Sequence, residues 1–319
     1  MSMEPNRVVI TGMGMVTPLG ATFAECVRAW REGRSAGRQP LPELNDTPLE
    51  GIGVATLPGI KPAERLGSRR MLKYMSHAAV LGCVAAREAL EDAHAKVRFS
   101  PERMGLYAGT GLATANIDEV RTMVEASIDE RGQFSCRLLG ERGLAATNPL
   151  LSFKILANMP PCLISIIECI KGPNLIFTPW EGQTGAALLE AWKAVAMGEV
   201  DCALAGAADN AAHPATFVYL HRAGFLRTDE YPASGAAYLV FEKLETASRD
   251  GRQIYAEIEN VSLFASDEGV NDPLSEPMGR TFAAAPAILL GLKSIDGGGR
   301  LSMCGVDRQR LEIELKASS

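Results

Sequence analysis

Apolar positions in this chain fall into short, nearly unbroken runs separated by longer mixed stretches. Val8–Thr11 and Gly105–Ala108 are apolar runs of strand length, and Asp201–Gly206 and Ala237–Phe241 read as buried strands. Between them, Ser68–His94 and Gly185–Met197 carry apolar residues at helical spacing and predict helices. Alternation of this kind predicts a layered α/β fold. Gly37–Gly53, with its prolines, and Phe264–Gly279, with Asp267, Glu268, Asn271, Asp272, Pro273 and Pro277, predict long loops. Gly297, Gly298 and Gly299 predict a turn, and no Gly-x-x-x-x-Gly-Lys motif marks a phosphate-binding loop.

Composition narrows the class. With 319 residues, 47% hydrophobic and 22% charged, the chain can bury a large core as one large domain or two. The longest apolar runs, Ala78–Ala86 and Ala283–Leu290, fall short of the roughly 20 residues of a membrane span. A net charge of −6 argues against a general nucleic-acid role, which needs a clustered basic surface. The seven cysteines, Cys26, Cys83, Cys136, Cys162, Cys169, Cys202 and Cys304, include no Cys-x-x-Cys pair. With no signal peptide at Met1-Ser2-Met3-Glu4, the expectation is reduced thiols in the cytoplasm, and no metal or cofactor is expected.

The most informative stretch opens with Gly172-Pro173-Asn174 and closes with Leu204-Ala205-Gly206-Ala207-Ala208-Asp209. It resembles the nucleophile segment of ketoacyl synthases of the thiolase superfamily. There Gly-Pro-Asn runs into Ala-Cys-Ala-Thr-Gly at a buried helix N-terminus, and the following strand ends Leu-Ala-Gly-Gly-Ala-Glu. Counted from either end without a gap, the cysteine position falls on Glu181. A cysteine at a helix N-terminus is activated because the dipole and free backbone N–H groups favour its thiolate, which attacks an acyl thioester. Glu181 takes the place without the reactivity. The plain alternative is an ordinary first-turn glutamate, a residue type favoured there.

Other segments resemble the same family in order. They are Arg7-Val8-Val9-Ile10-Thr11-Gly12 through Gly20, Ser68 through Ala93, and Gly105 through Gly111 with its Gly-x-x-x-Gly-Thr-Gly pattern. Asn148 through Asn158-Met159-Pro160 and Ser234 through Ile258 follow. The resemblance implies a thiolase-like layered α/β/α/β/α fold with a truncated second half. Residues 1–258 would form the ketoacyl synthase N-terminal-like half, and 259–319 a reduced C-terminal half completing the same domain. Two family histidine motifs, His-Gly-Thr-x-Thr and Gly-His-x-x-Gly-Ala, are not found; His77, His94, His213 and His221 all lie in the first half. The Arg-Asp-Gly-Phe stretch expected between Leu226 and Ser234 is missing too, so an internal deletion that pared back the site is expected.

Together these resemblances identify a ketosynthase-like subunit similar to the chain length factor of type II polyketide synthases, with no catalytic residue of its own. Members of that family usually carry Gln at the nucleophile position, so Glu181 is a departure. The resemblance implies a heterodimer with a catalytic ketosynthase and contact with an acyl carrier protein through the complex. Leu175, Ile176 and Phe177 would lie at the dimer interface, and Met159, Cys162, Leu163 and Glu181 would border the substrate tunnel. Plain core packing is the alternative for Met159 and Leu163. Arg69, Arg70 and Lys73 form either a solvated basic face or a docking point for an acidic carrier. Three rival functions stay open: a malonyl-carrier decarboxylase, a hydrolase using Cys162 or Cys202 with His213 or His221, and a purely structural partner.

Overall fold

The computed structural model describes residues 5–112, 115–225 and 231–317. The missing stretch after Leu226 noted above therefore lies largely outside the described residues. Eight strands form the main sheet: β1 Val8–Val16, β2 Met104–Thr110, β3 Asn174–Phe177, β4 Cys202–Asn210, β5 Ser234–Lys243, β6 Ala256–Ala265, β7 Gly298–Cys304 and β8 Gln309–Ala317. Five helices position the site: α1 His77–Asp92, α2 Met159–Glu168, α3 Glu181–Ala196, α4 Pro214–Arg222 and α5 Ala285–Ser294.

The strand order is β3-β2-β4-β5-β1-β6-β8-β7, with β2 parallel to β3 and β4 and the remaining pairs antiparallel. This order contains a partial repeat. In the first half β1 pairs with β5, and β5 with β4, which follows helix α3; in the second half β6 pairs with β8, and β8 with β7, which follows helix α5. The second half has no counterpart of β2 and β3 among the described residues, so β7 ends the sheet where β4 continues into β2.

Helices α3 and α5 pack between the two halves, where Ala187 and Leu188 of α3 and Ile288 and Leu289 of α5 join one buried core with Leu301, Leu311 and Ile313. Helices α1 and α2 cover the opposite face of the first half through a second core holding Leu81, Leu90, Leu106, Leu163 and Ile164. Close approach of α1 to β1 needs glycine: a Cβ on Gly14 would stand 2.0 Å from the Ala85 carbonyl oxygen. The inner face of β6, β8 and β7 is apolar and meets α3 and α5, whereas the outer face carries Asn260, Ser262, Arg300, Glu312 and Glu314. The expected layered α/β fold is present, and the residues after 258 contribute β6, β7, β8 and helix α5 to it.

Several expected elements have different limits. The helix predicted over Ser68–His94 begins only at His77, because the Ser76 hydroxyl accepts the Ala79 N–H and Met75 is extended. Arg69, Arg70 and Lys73 therefore sit in and before a tight turn at Met71–Tyr74, all exposed, and not on a helix face. The loop predicted over Gly37–Gly53 contains two short strands, Arg38–Pro40 and Gly53–Ala55, paired as an antiparallel ribbon. Within Phe264–Gly279, β6 runs on to Ala265 and a short helix spans Ser275–Met278. Gly298 and Gly299 are paired residues of β7, with only Gly297 outside it.

Candidate functional site

Helix α3 starts directly after β3, at the end of the sheet where the parallel strands β2 and β4 also terminate. Trp180 holds the N-cap position in an extended conformation without capping through its side chain, and Glu181 is the first helical residue. Both its placement and its burial, at 2% exposure, are those of a group enclosed at a helix start. A carboxylate is stabilised there by the free N–H groups and the helix dipole.

Burial of a charge requires a partner, and the partner is Arg280. Its Nη2 donates to Glu181 Oε1 across 2.9 Å, and the Val306 backbone N–H donates to Oε2 across 3.3 Å. Arg280 is itself 1% exposed, its Nε stands 3.9 Å from Asp272 Oδ2, and its guanidinium lies 4.4 Å above the Phe282 ring. Gly305 lets the β7–β8 turn close on the carboxylate, since a Cβ there would meet Glu181 Cβ at 2.7 Å and Oε2 at 2.9 Å.

Two further carboxyls share this neighbourhood. Asp209, at the end of β4, accepts the Ala283 N–H at 3.0 Å, and burial, aided by the charge of Glu181, pushes its carboxyl well above the ordinary range. Asp307 accepts the Gln309 N–H at 3.4 Å, and its carboxyl is also raised, by burial first and by Glu181 second. An aromatic cap closes the outside of the group. Trp180 packs 5.4 Å from Tyr219 and 5.8 Å, edge-on, from Phe282, and Val306, Leu220 and Phe225 complete the cluster. Phe282 holds a left-handed φ of 37°, a strained conformation for a bulky residue that this packing maintains.

The geometry describes an ion pair sealed under an apolar cap. Among the described residues no histidine and no cysteine hydrogen-bonds to Glu181. His213 is committed elsewhere: its Nδ1 accepts the Ala215 N–H at the start of α4, its Nε2–H donates to the Ala115 carbonyl, and burial lowers its pKa. Cys202 is enclosed in β4 and burial drives its thiol far up, away from the reactive thiolate. Cys162 sits half-buried on α2, within sulfur hydrogen-bond range of Asn158. No hydrogen bond joins Cys162 or Cys202 to His213 or His221 among the described residues.

The other expected site residues lie apart from Glu181. Leu163 is 2% exposed in the core shared by α1 and β2, and Met159 packs against that core from the start of α2. They are on the α1 side of β2, whereas α3 covers the other side, so Met159 and Leu163 do not meet Glu181 within this chain. Leu175, Ile176 and Phe177 form β3, the edge strand; Leu175 is 42% exposed and the other two are half-buried.

Arg280, Asp209 and Asp307 were not among the expected site residues. Two of them had a signal. Gly279-Arg280-Thr281-Phe282-Ala283-Ala284 keeps the spacing of Gly-His-x-x-Gly-Ala with arginine in place of histidine, and Asp209 stands at the acidic end of the Leu-Ala-Gly-Gly-Ala-Glu pattern. Asp307 had none.

Comparison with known proteins adds a family. The model of the beta-ketoacyl synthase N-terminal domain matches residues 5–238. Among curated relatives, 3-oxoacyl-[acyl-carrier-protein] synthase 2 of Synechocystis sp. is 24% identical over 308 residues, covering 90% of this chain and 70% of the relative. The corresponding synthase 1 of Haemophilus influenzae is 26% identical over 283 residues, covering 83% and 65%. The chain thus spans about two thirds of the length of these relatives. Among solved structures, a type II polyketide synthase acyl-carrier protein in complex with its ketosynthase bound to the hexaketide superposes with a TM-score of 0.76 at 16% identity, over 98% of this chain and 100% of that one. The ishigamide ketosynthase/chain length factor gives 0.75 at 18% identity, over 99% and 100%. At such identities the likeness is one of fold, the thiolase-like ketosynthase fold. Because the domain model spans well over half of the sequence and the fold agrees with it, this chain belongs to the beta-ketoacyl synthase family.

Proposed function

We propose that this chain is a ketosynthase-like subunit without condensing activity of its own, which pairs with a complete ketosynthase in a type II polyketide or polyene synthase. There it helps bound the acyl tunnel, as a chain length factor does. The observation that carries this reading is Glu181 at the nucleophile position, buried and ion-paired to Arg280. A carboxylate in that state offers no thiolate to an acyl thioester, and arginine stands beside it where the Gly-His-x-x-Gly-Ala spacing would put an imidazole. The names of the curated relatives describe active synthases, so the loss is read from residues 181 and 280 and not from the comparisons.

Pairing is supported by β3. It is an edge strand with unpaired backbone groups and an exposed Leu175, a feature that invites association when uncovered. Contact with an acyl carrier protein would come through the complex. The second half, pared to β6, α5, β7 and β8, supports the reading of an internal deletion in a single domain divided near residue 258. The decarboxylase and hydrolase readings lack the groups they need at Glu181 and at Cys202. A purely structural partner remains the second reading, favoured by the sealed site.

Co-expression with a full-length ketosynthase from the same genomic neighbourhood tests the proposal. A stable one-to-one complex, whose product length changes with substitutions in this chain, is the expected result. A lone monomer with turnover of its own overturns it, and a complex whose products never respond favours the structural partner.

A further inference from the structure

Helix α4 is held at its start by an imidazole. His213 takes the N-cap position, Pro214 follows with no N–H of its own, and Thr216 and Phe217 donate back to the His213 carbonyl. That leaves the Ala215 N–H, which goes to His213 Nδ1 at 3.1 Å, while Nε2–H donates to the Ala115 carbonyl at 2.8 Å. Only the neutral ring with its proton on Nε2 makes both bonds. A second proton has to enter on Nδ1, where it turns the acceptor into a donor facing another donor and sets a cation at the positive end of the helix. We propose that His213 is an acid-operated latch, whose protonation frees the start of α4 and loosens the aromatic cap over Glu181 that this helix helps to form.

Helix α4 ties two apolar clusters together. Phe217 is buried with Leu44, Leu49 and Val54, Tyr219 packs on Trp180, and Leu220 joins Phe282 and Val306. A helix of nine residues has few bonds to lose before both contacts go. Charged and titratable groups reach the ring's surroundings from four other segments. Glu43, in the tight turn Pro42–Leu44, favours the proton on His213, whereas burial opposes it more strongly. Glu119 and Lys154 line the same cavity of about 480 Å³ and are ion-paired to each other. His77, the first residue of α1, lines it too; burial and then His213 lower its affinity for a proton, so His213 charges first. The latch therefore opens on the acid side of the ordinary histidine value of about 6.5. Because the unfolded chain takes that proton more readily than the folded one, His213 removes stability as pH falls through this range.

The latch does not depend on pairing, and the isolated full chain tests it. The native chain, His213→Asn and His77→Asn are compared from pH 7.5 to pH 5 by deuterium uptake into Pro214–Arg222. Trp180 emission, taken as the part of the signal lost in Trp180→Phe, is followed over the same range. The carboxamide of His213→Asn accepts the Ala215 N–H at every pH, so at pH 5 the native chain and His77→Asn should exchange about threefold faster or more than His213→Asn, as loss of an N-cap predicts. Trp180 emission should change with the same midpoint. Equal uptake in the native chain and His213→Asn at pH 5, or opening of Pro214–Arg222 that leaves Trp180 emission unchanged, overturns the proposal. Should His213→Asn not fold, NMR of isotope-labelled histidine in the native chain decides. An Nε2–H tautomer at pH 7.5 that charges in step with the opening supports the latch, and an Nδ1–H tautomer or a ring already charged at pH 7.5 overturns it.

Discussion

Arg280 Nη2 stands 2.9 Å from Glu181 Oε1, joining the turn before α5 to the first residue of α3 in a pair of side chains that are each 2% exposed. Removing one member of a buried ion pair strands the other. Glu181→Leu is expected to destabilise the chain by about 3–5 kcal/mol, while Glu181→Leu with Arg280→Met should cost clearly less than the sum of the two single changes. Urea unfolding of the four proteins in the cycle measures the difference. Strict additivity would show that the contact contributes nothing. Glu181→Cys alone is expected to remain inactive in condensation, since it restores a thiol without the imidazoles that assist the reaction in the family.

Asp209 gives the chain a pH dependence of definite sign. Its folded carboxyl keeps a proton above the value of about 3.9 at which an unfolded aspartate releases it. As pH rises through that window the unfolded chain sheds a proton that the folded chain retains, so this group lowers stability with rising pH. Asp307 acts in the same direction, whereas Asp201, held low by its hydrogen bonds to Arg103, acts in the opposite one in acid. Asp209→Asn keeps an acceptor for the Ala283 N–H and removes the titration. Its urea midpoint relative to the native chain should therefore be higher at pH 8 than at pH 5, and a constant offset would refute the assignment.

Leu175→Lys probes the edge of the sheet. Leu175 is exposed and its loss should alter the stability of the lone chain by no more than about 0.5 kcal/mol. Pairing with a ketosynthase should nevertheless fail in co-purification, because a charge would be buried between two strands. Retention of the complex would move the interface elsewhere.

Met159 and Leu163 separate packing from tunnel shaping. Leu163→Ala empties a site in the core of α1 and β2 and should cost about 2–5 kcal/mol whatever the role of the residue. Met159→Ala, at the rim of that core, should cost less and leave the complex intact. Longer products from the complex carrying Met159→Ala are the expected outcome, and unchanged length with intact assembly would remove Met159 from any tunnel.

Strands β1, β2, β4 and β5 were legible in the sequence because each is buried on both faces, and burial between helical layers leaves little else for such apolar runs to be. Val8–Thr11 marked β1, although the strand continues to Val16 through glycines that packing against α1 demands and that a propensity reading discounts. Glu181 heads a helix, as the register counted from Gly172 and back from Asp209 leads one to expect. Arg280 escaped because its partner is 99 positions away and its motif was sought as histidine. Replacing the imidazole hides the motif while leaving its spacing intact. The start of α1 was misplaced because the apolar pattern runs through Met71 and Met75, and one serine hydroxyl outweighs it.

The unequal depth of the two half-sheets has a dynamic consequence. Strand β4 is enclosed by β2 and β5, whereas among the described residues β7 is bonded along its length to β8 alone, with a bridge from Asn271 to Cys304 on its other side. Its outward amides have no strand to shelter them, so deuterium should enter β7 well before β4. The half of the molecule that carries the Val306 donor would then breathe first, and the enclosure of Glu181 would loosen from the turn side while the helix beneath it stays intact.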